Sequence, residues 1–388
     1  MDPEVIVVGA GPAGSSAAYH LARSGHHVLL LEKTSFPREK ACGDALSRPA
    51  VQLLTEMGII EGFSHCQRVT GVSVFLAGKG RRDLEYEVNQ KNSVLGMIIP
   101  RADLDHALCR KATAAGAELW EETHVTNLIW TDQVVTGVEA LRHGRKLQLK
   151  SAVIVAANGA SSVLARRAKT FNAPQQEFGC AIRSYYDNIN HLSGMLEIYI
   201  PLTDPGDKYV LPAYGWVFPT GESSANIGVG LFEPQRLSTV SKIFRRFIET
   251  LQREDARFHR AESISAPRAA PLRFRFEPHR CVQPGLLLVG DSAGLTNPFT
   301  GEGIRYALES GKLAAEVVHN SLSSISLAGF EVADYATILQ RRYSGPFELG
   351  SANIRRAETM WDLLEATFQD DRSFFETCRG RLHSANSA

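Results

Sequence analysis

The sequence predicts an α/β protein: a parallel sheet with helices on its faces, an antiparallel β-sheet inserted into it, and helices at the C-terminal end. Three observations carry this. A strand–glycine–helix–strand unit opens the chain, β-rich stretches occupy residues 68–99 and 175–280, and the pattern turns helical after Ile304. The opening unit is the most specific of the three. Val5-Ile6-Val7-Val8 and Val28-Leu29-Leu30-Leu31 are unbroken apolar runs, as strands covered on both faces must be. Between them Gly9, Gly11 and Gly14 stand at G-x-G-x-x-G spacing around Pro12 and Ala13, and Ala17, Ala18, Leu21 and Ala22 mark the inner face of a helix. Gly9 makes a tight turn, Gly11 lets the backbone approach a pyrophosphate, and Gly14 lets helix pack close on strand. The helix start offers free N–H groups and a positive dipole end to that pyrophosphate. Glu32, 18 residues after Gly14 and followed by Lys33, is placed to accept the hydroxyls of an adenosine ribose. The expectation is a dinucleotide site.

The remaining elements follow in order. Thr34 to Ala45 is polar and broken by Pro37 and Gly43, a loop leaving the second strand on the ligand side of the sheet and leading into a helix from Arg48 to Met57. Val69–Leu76 and Leu84–Val88 alternate as strands around Ala77-Gly78-Lys79-Gly80. Arg101 opens a helix with Asp103 in its first turn. Short strands then run from Glu118 to Leu149, and Val153–Ala157 is another buried strand that closes on Asn158-Gly159. Between 175 and 280 several strands, Tyr214–Pro219 among them, surround one helix from Ser241 to Gln252. The strand Gly285–Val289 ends in Gly290-Asp291, and the loop Asn297–Gly303, containing Pro298, Gly301 and Glu302, opens a helix at Ile304. The tail from Glu331 to Cys378 reads as helical with a break at Gly345-Pro346. These boundaries give a nucleotide-binding domain of residues 1–67, 100–174 and 281–325, a substrate-side β-sheet domain of 68–99 and 175–280, and a helical region of 326–388.

Composition narrows the partners. The chain has 388 residues, 44% hydrophobic and 22% charged, with 42 basic against 42 acidic residues, so no nucleic-acid partner is expected. Six cysteines are scattered without metal spacing, as suits reduced thiols in the cytoplasm. The first strand begins by residue 5, leaving no room for a signal peptide, and no run approaches the ~20 apolar residues of a membrane span. Oligomeric state is not encoded in any pattern, and nothing demands more than a monomer.

Taken together, Gly9-x-Gly11-x-x-Gly14 with Glu32, then Asn158-Gly159, then Gly290-Asp291 resemble, in that order, the cofactor segments of flavoproteins of the p-hydroxybenzoate hydroxylase type. Within that superfamily, Lys40-x-Cys42-Gly43-Asp44 and Tyr214-Gly215-Trp216-Val217-Phe218-Pro219 look like the geranylgeranyl reductase branch. The likeness runs to about residue 320. It implies a Rossmann-like FAD-binding domain. It also implies FAD contacts from Gly9, Gly11, Pro12, Ala13, Gly14, Glu32, Lys33, Cys42, Gly43, Arg101, Val125, Asn158, Gly159, Gly290, Asp291, Pro298, Gly301, Glu302, Gly303 and Ile304. One departure stands out: the family's Asp-Gly is Asn158-Gly159 here, which keeps a hydrogen-bonding side chain but drops a charge.

Flavin chemistry sets the expected function. The Lys40–Asp44 loop is expected to reach the isoalloxazine, with Cys42, near Lys40, as a reactive, proton-donating or potential-tuning thiol and Asp44 beside it. Tyr214 and Trp216 are expected to shape an apolar pocket above the flavin. The leading expectation is an FAD-dependent reductase or dehydrogenase acting on a C–C bond of an apolar substrate, prenylated or a secondary metabolite, by hydride transfer at flavin N5. One alternative is a monooxygenase or halogenase working through O2; the Tyr214–Pro219 strand partly matches a halogenase W-x-W-x-I-P. Another is an electron-transfer flavoprotein. The absence of a second glycine fingerprint leaves NADPH, NADH or another reduced carrier as electron donor.

Overall fold

The computed structural model describes residues 2–85, 96–168, 178–232, 238–323 and 332–355; the end of the strand expected to reach Val88 and the tail beyond 355 lie outside the described residues. Two large sheets flank a cleft.

The first has six strands in the order Val282–Gln283, Leu286–Leu288, Val153–Ala156, Val5–Val8, Val28–Leu31, Glu118–Trp120. All its pairings are parallel except the outermost, where Val282–Gln283 runs antiparallel to Leu286–Leu288. Its inner strands are buried throughout, which is why they read as uniform Val/Ile/Leu runs. Helices Pro12–Arg23 and Ile304–Ser323 pack almost backbone to backbone: a Cβ on Gly311 would meet Ala13 O at 2.3 Å, and Ser16 Oγ donates to Leu308 O at 2.7 Å.

The second sheet has eight strands. Seven lie in the order Glu262–Ser263, Phe178–Asp187, Ala225–Leu231, Ala213–Pro219, Met195–Ile200, Gly71–Leu76, Gly80–Glu85, and Arg268–Arg273 also pairs with Phe178–Asp187. It is antiparallel apart from one parallel pair, Met195–Ile200 with Gly71–Leu76. Period-2 alternation gives it two different faces. Ala213 and Val217 belong to a core covered by helix Val240–Glu254, through Ile243, Phe244, Phe247 and Leu251. Tyr214, Trp216, Phe218, Leu196 and Ile198 point the other way and cluster with Val69 and Ile98.

Two three-stranded sheets and a two-stranded ribbon complete the frame: Ala45–Ser47 with Gly96–Ile98 and Gln67–Arg68, the meander Thr123–Thr131, Val134–Arg142, Arg145–Lys150, and Leu202–Thr203 with Tyr209–Val210.

The C-terminal helix corrects one expectation. Val332–Arg355 runs unbroken through Gly345-Pro346. Pro346 removes the hydrogen bond to the Arg342 carbonyl, but tertiary packing outweighs that loss. Tyr343 and Phe347, on either side of it, are buried against Phe276 and Tyr306. Among the described residues no helix is long and apolar enough to cross a membrane, and no His/Cys/Asp/Glu group could hold a metal ion.

Candidate active site

A single cleft of about 1530 Å3 runs between the two sheets. That exceeds the roughly 300–1,000 Å3 of an ordinary ligand pocket, leaving room for a large cofactor and a second molecule.

The nucleotide end is built by backbone. Gly9 has φ +101°, and a Cβ there would stand 2.5 Å from Ala157 O; one on Gly14 would stand 1.8 Å from Gly9 O. Both are forced by chain packing. Gly11 differs: the nearest atom to its missing Cβ is Arg38 Nη2 at 3.6 Å, so its face opens into the cleft. No side chain caps the helix beginning at Pro12, leaving its first N–H groups for a ligand.

Glu32 closes this end. It is 4% exposed, accepts from Ala10 N at 2.9 Å and from Thr34 Oγ1 at 3.0 Å, and still lines the cleft. Arg38 reaches it at 3.5 Å and Asp105 at 3.0 Å, while Asp105 takes two 2.7 Å bonds from Arg101. A chain of alternating charges, Glu32–Arg38–Asp105–Arg101, therefore floors the cleft. Arg101 lines it with its guanidinium committed to Asp105 and facing the Cys42 thiol.

On the opposite strand ends, Asn158 Oδ1 accepts from Ser162 Oγ at 2.6 Å, and Gly159 N donates to Ser292 Oγ at 3.0 Å. Asn158 thus serves as a neutral hub within the protein. Asp291 accepts from Thr296 Oγ1 at 2.9 Å and lines the cleft beside Gly301, Glu302, Gly303 and Ile304. Glu302 Oε1 is buried without a hydrogen-bond partner, and burial raises its carboxyl above the usual range.

The Lys40–Asp44 loop lies between the two ends, pinned to the second sheet. Arg183, 1% exposed, donates to Glu39 Oε2 at 2.5 Å and to Lys40 O at 3.2 Å. Asn226 donates to Cys42 O at 2.8 Å and Asp44 Oδ2 at 2.7 Å, and accepts from Trp216 Nε1 at 2.9 Å. Tyr185 OH donates to the same Asp44 oxygen at 2.6 Å. Trp216 and Phe218 pack on Gly43, where a Cβ would come within 2.9 Å of the Phe218 ring. Tyr214 crosses to the 297–303 loop, donating to Thr300 O at 2.9 Å.

Electrostatics separates the loop's three polar side chains. Lys40 belongs to the nucleotide half: burial lowers its pKa, Asp291 opposes this, and its Nζ lies 4.0 Å from the Cβ position of Gly159. Burial pushes the Cys42 thiol up, with Arg101 opposing and Asp44 reinforcing the shift. The charged groups that act on the thiol are thus Arg101 and Asp44. Asp44 is fully buried, and burial lifts its carboxyl to about 6 against the opposing bonds from Tyr185 and Asn226.

Beyond the loop the cleft is apolar, lined by Val69, Val72, Val74, Leu196, Ile198, Ile200, Leu211, Trp216, Phe218 and Phe232. Of the expected site residues, Gly9, Gly11, Pro12, Ala13, Glu32, Lys33, Lys40, Cys42, Gly43, Asp44, Arg101, Val125, Asn158, Gly159, Tyr214, Trp216, Asp291 and 301–304 all meet in this cleft. Gly14 and Gly290 sit behind it, Gly290 against Ala13, and Pro298 packs on Gly350 of the C-terminal helix. Arg38, Arg183, Tyr185, Asn226 and Ser292 were not anticipated. A signal existed for one of them: Asn226 interrupts an otherwise apolar strand.

These residues fit FAD. The open face at Gly11, the uncapped helix, carboxylates at Glu32 and Asp291, and the unpartnered Glu302 oxygen supply donors and acceptors along a dinucleotide's length. The FAD binding domain family matches residues 2–312. A menaquinone reductase of Mycolicibacterium smegmatis is 32% identical over 352 residues, 89% of this chain and 82% of that protein. A digeranylgeranylglycerophospholipid reductase of Methanosarcina mazei is 28% identical, over 83% of this chain and 76% of its own. Among solved structures, a geranylgeranyl bacteriochlorophyll reductase-like protein of Thermoplasma acidophilum superposes with TM-score 0.84 at 22% identity, covering 97% of this chain and 95% of the other. The flavin-dependent brominase Bmp2 does so at 0.72 and 20%, covering 96% and 93%, a likeness of fold. The chain belongs to the FAD-binding-domain family, on its geranylgeranyl reductase branch, and is an FAD-dependent oxidoreductase.

Proposed function

We propose that the protein reduces a carbon–carbon double bond in an apolar, prenyl-bearing small molecule. The observation that carries this reading is the apolar half of the cleft, which begins at the Lys40–Asp44 loop and is walled by aliphatic and aromatic side chains of the second sheet. Menaquinone and digeranylgeranylglycerophospholipid, for which two relatives are named, both carry chains of isoprene units with such bonds. When bound, FAD supplies hydride chemistry at flavin N5.

The protein's own residues bind, orient and exclude water. Glu32, Asp291 and the glycine turn hold the cofactor's polar length. Trp216, Phe218 and the valines of Gly71–Leu76 present a dry wall to an alkene. Tyr214, bonded to Thr300, fixes the spacing between that wall and the 301–304 loop. Cys42 stands where the two halves meet, with Lys40 on the nucleotide side and Asp44 buried behind it, and these are the titratable groups of the loop.

The test is anaerobic mixing of the photoreduced protein with prenyl alkenes. Reoxidation of the flavin with formation of saturated product is expected. Reoxidation that requires O2 and yields hydroxylated or halogenated product would replace this reading with the oxygen-dependent one. Whichever of NADPH, NADH or a reduced carrier bleaches the oxidised flavin at a useful rate is the electron donor.

A further inference from the structure

Strand Ala225–Leu231 has two unlike faces. Ala225, Ile227, Val229 and Leu231 enter the core under helix Val240–Glu254, whereas Asn226, Gly228 and Gly230 turn toward the Lys40–Asp44 loop and Trp216. On that side the two glycines make a bed for one indole. Trp216 is the cross-strand neighbour of Gly228, where a Cβ would collide with its six-membered ring, and a Cβ on Gly230 would lie 3.8 Å from the same ring. Asn226, at the end of this bed, accepts the indole N–H on Oδ1 at 2.9 Å.

The other end of the same amide holds the Lys40–Asp44 loop. Its Nδ2 donates to Cys42 O at 2.8 Å and to Asp44 Oδ2 at 2.7 Å, on either side of Gly43. Tyr185, the cross-strand neighbour of Asn226, donates to the same Asp44 oxygen, and Arg183 on that strand holds Lys40 O. Gly43 is thereby pressed under Trp216 and Phe218, with no room for a side chain. The amide can stand only one way round: flipped, its nitrogen would face the indole N–H and its oxygen would face two oxygens. Asn226 is fully buried, so these bonds are made away from water, where a polar group left without a partner is costly. Neither aspartate nor leucine, though similar in shape, can make all three.

We propose that Asn226 is a positioning residue for the reaction, one amide that holds the Cys42–Asp44 turn at a fixed distance from the Trp216 indole. Cys42, Gly43 and Trp216 line the cleft and Asn226 lies behind them, so it acts on bound molecules only through those neighbours. Where the turn meets the cofactor and the indole meets the substrate, their spacing sets the spacing of the reacting atoms. Such atoms react well at about 3–3.5 Å, and a misplacement of about 1 Å costs roughly 10²-fold in rate. The consequence for rate rests on the reductase reading above; the tie between turn and indole does not.

Two measurements separate positioning from support of the fold. In the FAD-loaded protein without substrate, NMR follows hydrogen exchange at the Trp216 indole N–H, identified by its loss in Trp216→Phe. Asn226→Leu should speed that exchange about tenfold, as loss of one hydrogen bond allows, while Asn226→Asp keeps the accepting oxygen and should leave it slow. In anaerobic alkene-driven reoxidation, Asn226→Leu should slow the chemical step about 10²-fold, with FAD content and affinity for a saturated polyprenyl ligand held. Asn226→Asp sets a second carboxyl against Asp44, and in acid the two share a proton, which restores that link but not the one to Cys42 O. Its rate relative to wild type should rise as pH falls, against a constant deficit for Asn226→Leu. Ile227→Ala is the control: it opens the core on the other face of the strand, and should lower Tm while leaving indole exchange and reoxidation rate unchanged. Unchanged indole exchange in Asn226→Leu, a rate within about twofold of wild type, or the same losses in Ile227→Ala would overturn the inference. Should Asn226→Leu not fold, Asn226→Asp decides: recovery in acid supports the inference, and a deficit independent of pH overturns it. If no alkene reoxidises the wild-type protein, the reductase reading fails, and indole exchange alone judges the tie.

Discussion

At the nucleotide end of the cleft the backbone shapes the site, whereas at the apolar end side chains from distant strands do. Gly9, Gly11 and Gly14 act through what they lack, and their partners lie within one βαβ unit and the strand beside it. Asp44 acts through what it meets, and it meets Tyr185 and Asn226, more than a hundred residues away. A backbone site is fixed by steric rules that tolerate almost no substitution. A side-chain site can be retuned at one position, so substrate and proton chemistry can change while the cofactor stays.

Breaking the first region should therefore have the largest effect. Gly14→Val would place carbon atoms inside van der Waals contact of the Gly9 carbonyl, where a Cβ alone would sit 1.8 Å away. Overpacking of this kind costs about 1–3 kcal/mol or more. The expected outcome is protein purified without flavin, read from its visible absorbance; a yellow Gly14→Val variant would contradict the account.

The second region should respond in stability as well as rate. The folded Asp44 carboxyl titrates at about 6 against 3.8 for the free group. The folded state thus binds more protons in that window, and this group's contribution to stability falls as pH rises from 3.8 to 6. At 1.36 kcal/mol per unit, the ionised carboxyl costs about 3 kcal/mol at neutral pH. Asp44→Asn keeps an acceptor for Tyr185 and Asn226 and removes that cost. Denaturant melts should show the variant more stable than wild type by up to about 3 kcal/mol at pH 8, with the gap closing in acid. A gap independent of pH would mean that the carboxyl is not strained by burial.

Gly43→Ala sharpens the contrast. Its new methyl would press on the Phe218 ring at 2.9 Å, in the apolar wall of the cleft. FAD affinity should hold while turnover falls about tenfold, equivalent to about 1.4 kcal/mol. Glu32→Gln should do the reverse, since it removes a charge at the ribose end: FAD binds about tenfold more weakly by equilibrium titration, with turnover at saturating FAD unchanged.

The same division governs what could be read from the chain. The opening unit was legible because its strands, glycines and acid form a local pattern with a mechanical reason for each residue. The Lys40–Asp44 loop and the Tyr214–Pro219 strand were legible as motifs, but not their contact, because Asn226 joins them only after the second sheet has folded. Asn226 left a trace as the one polar side chain of an apolar strand; Arg183 and Tyr185 left none, since Arg183 shares its strand with Ser184 and Asp187 and a tyrosine suits a strand in any case. Arg38 follows Pro37 in what reads as a solvated loop, and only the fold carries it to Glu32 and Asp105. The continuous helix through Pro346 was hidden for a similar reason: local propensity said break, and the burial of Tyr343 and Phe347 decided otherwise.

The central claim is that one cleft holds FAD at one end and an apolar substrate at the other. Titrating a saturated, unreactive polyprenyl ligand into the FAD-loaded protein, while following Trp216 fluorescence and bound flavin together, tests it most directly. The account predicts a saturable change in tryptophan signal, absent in Trp216→Phe, with FAD fully retained. Release of FAD by the ligand, or binding that leaves Trp216 unaffected, would contradict it.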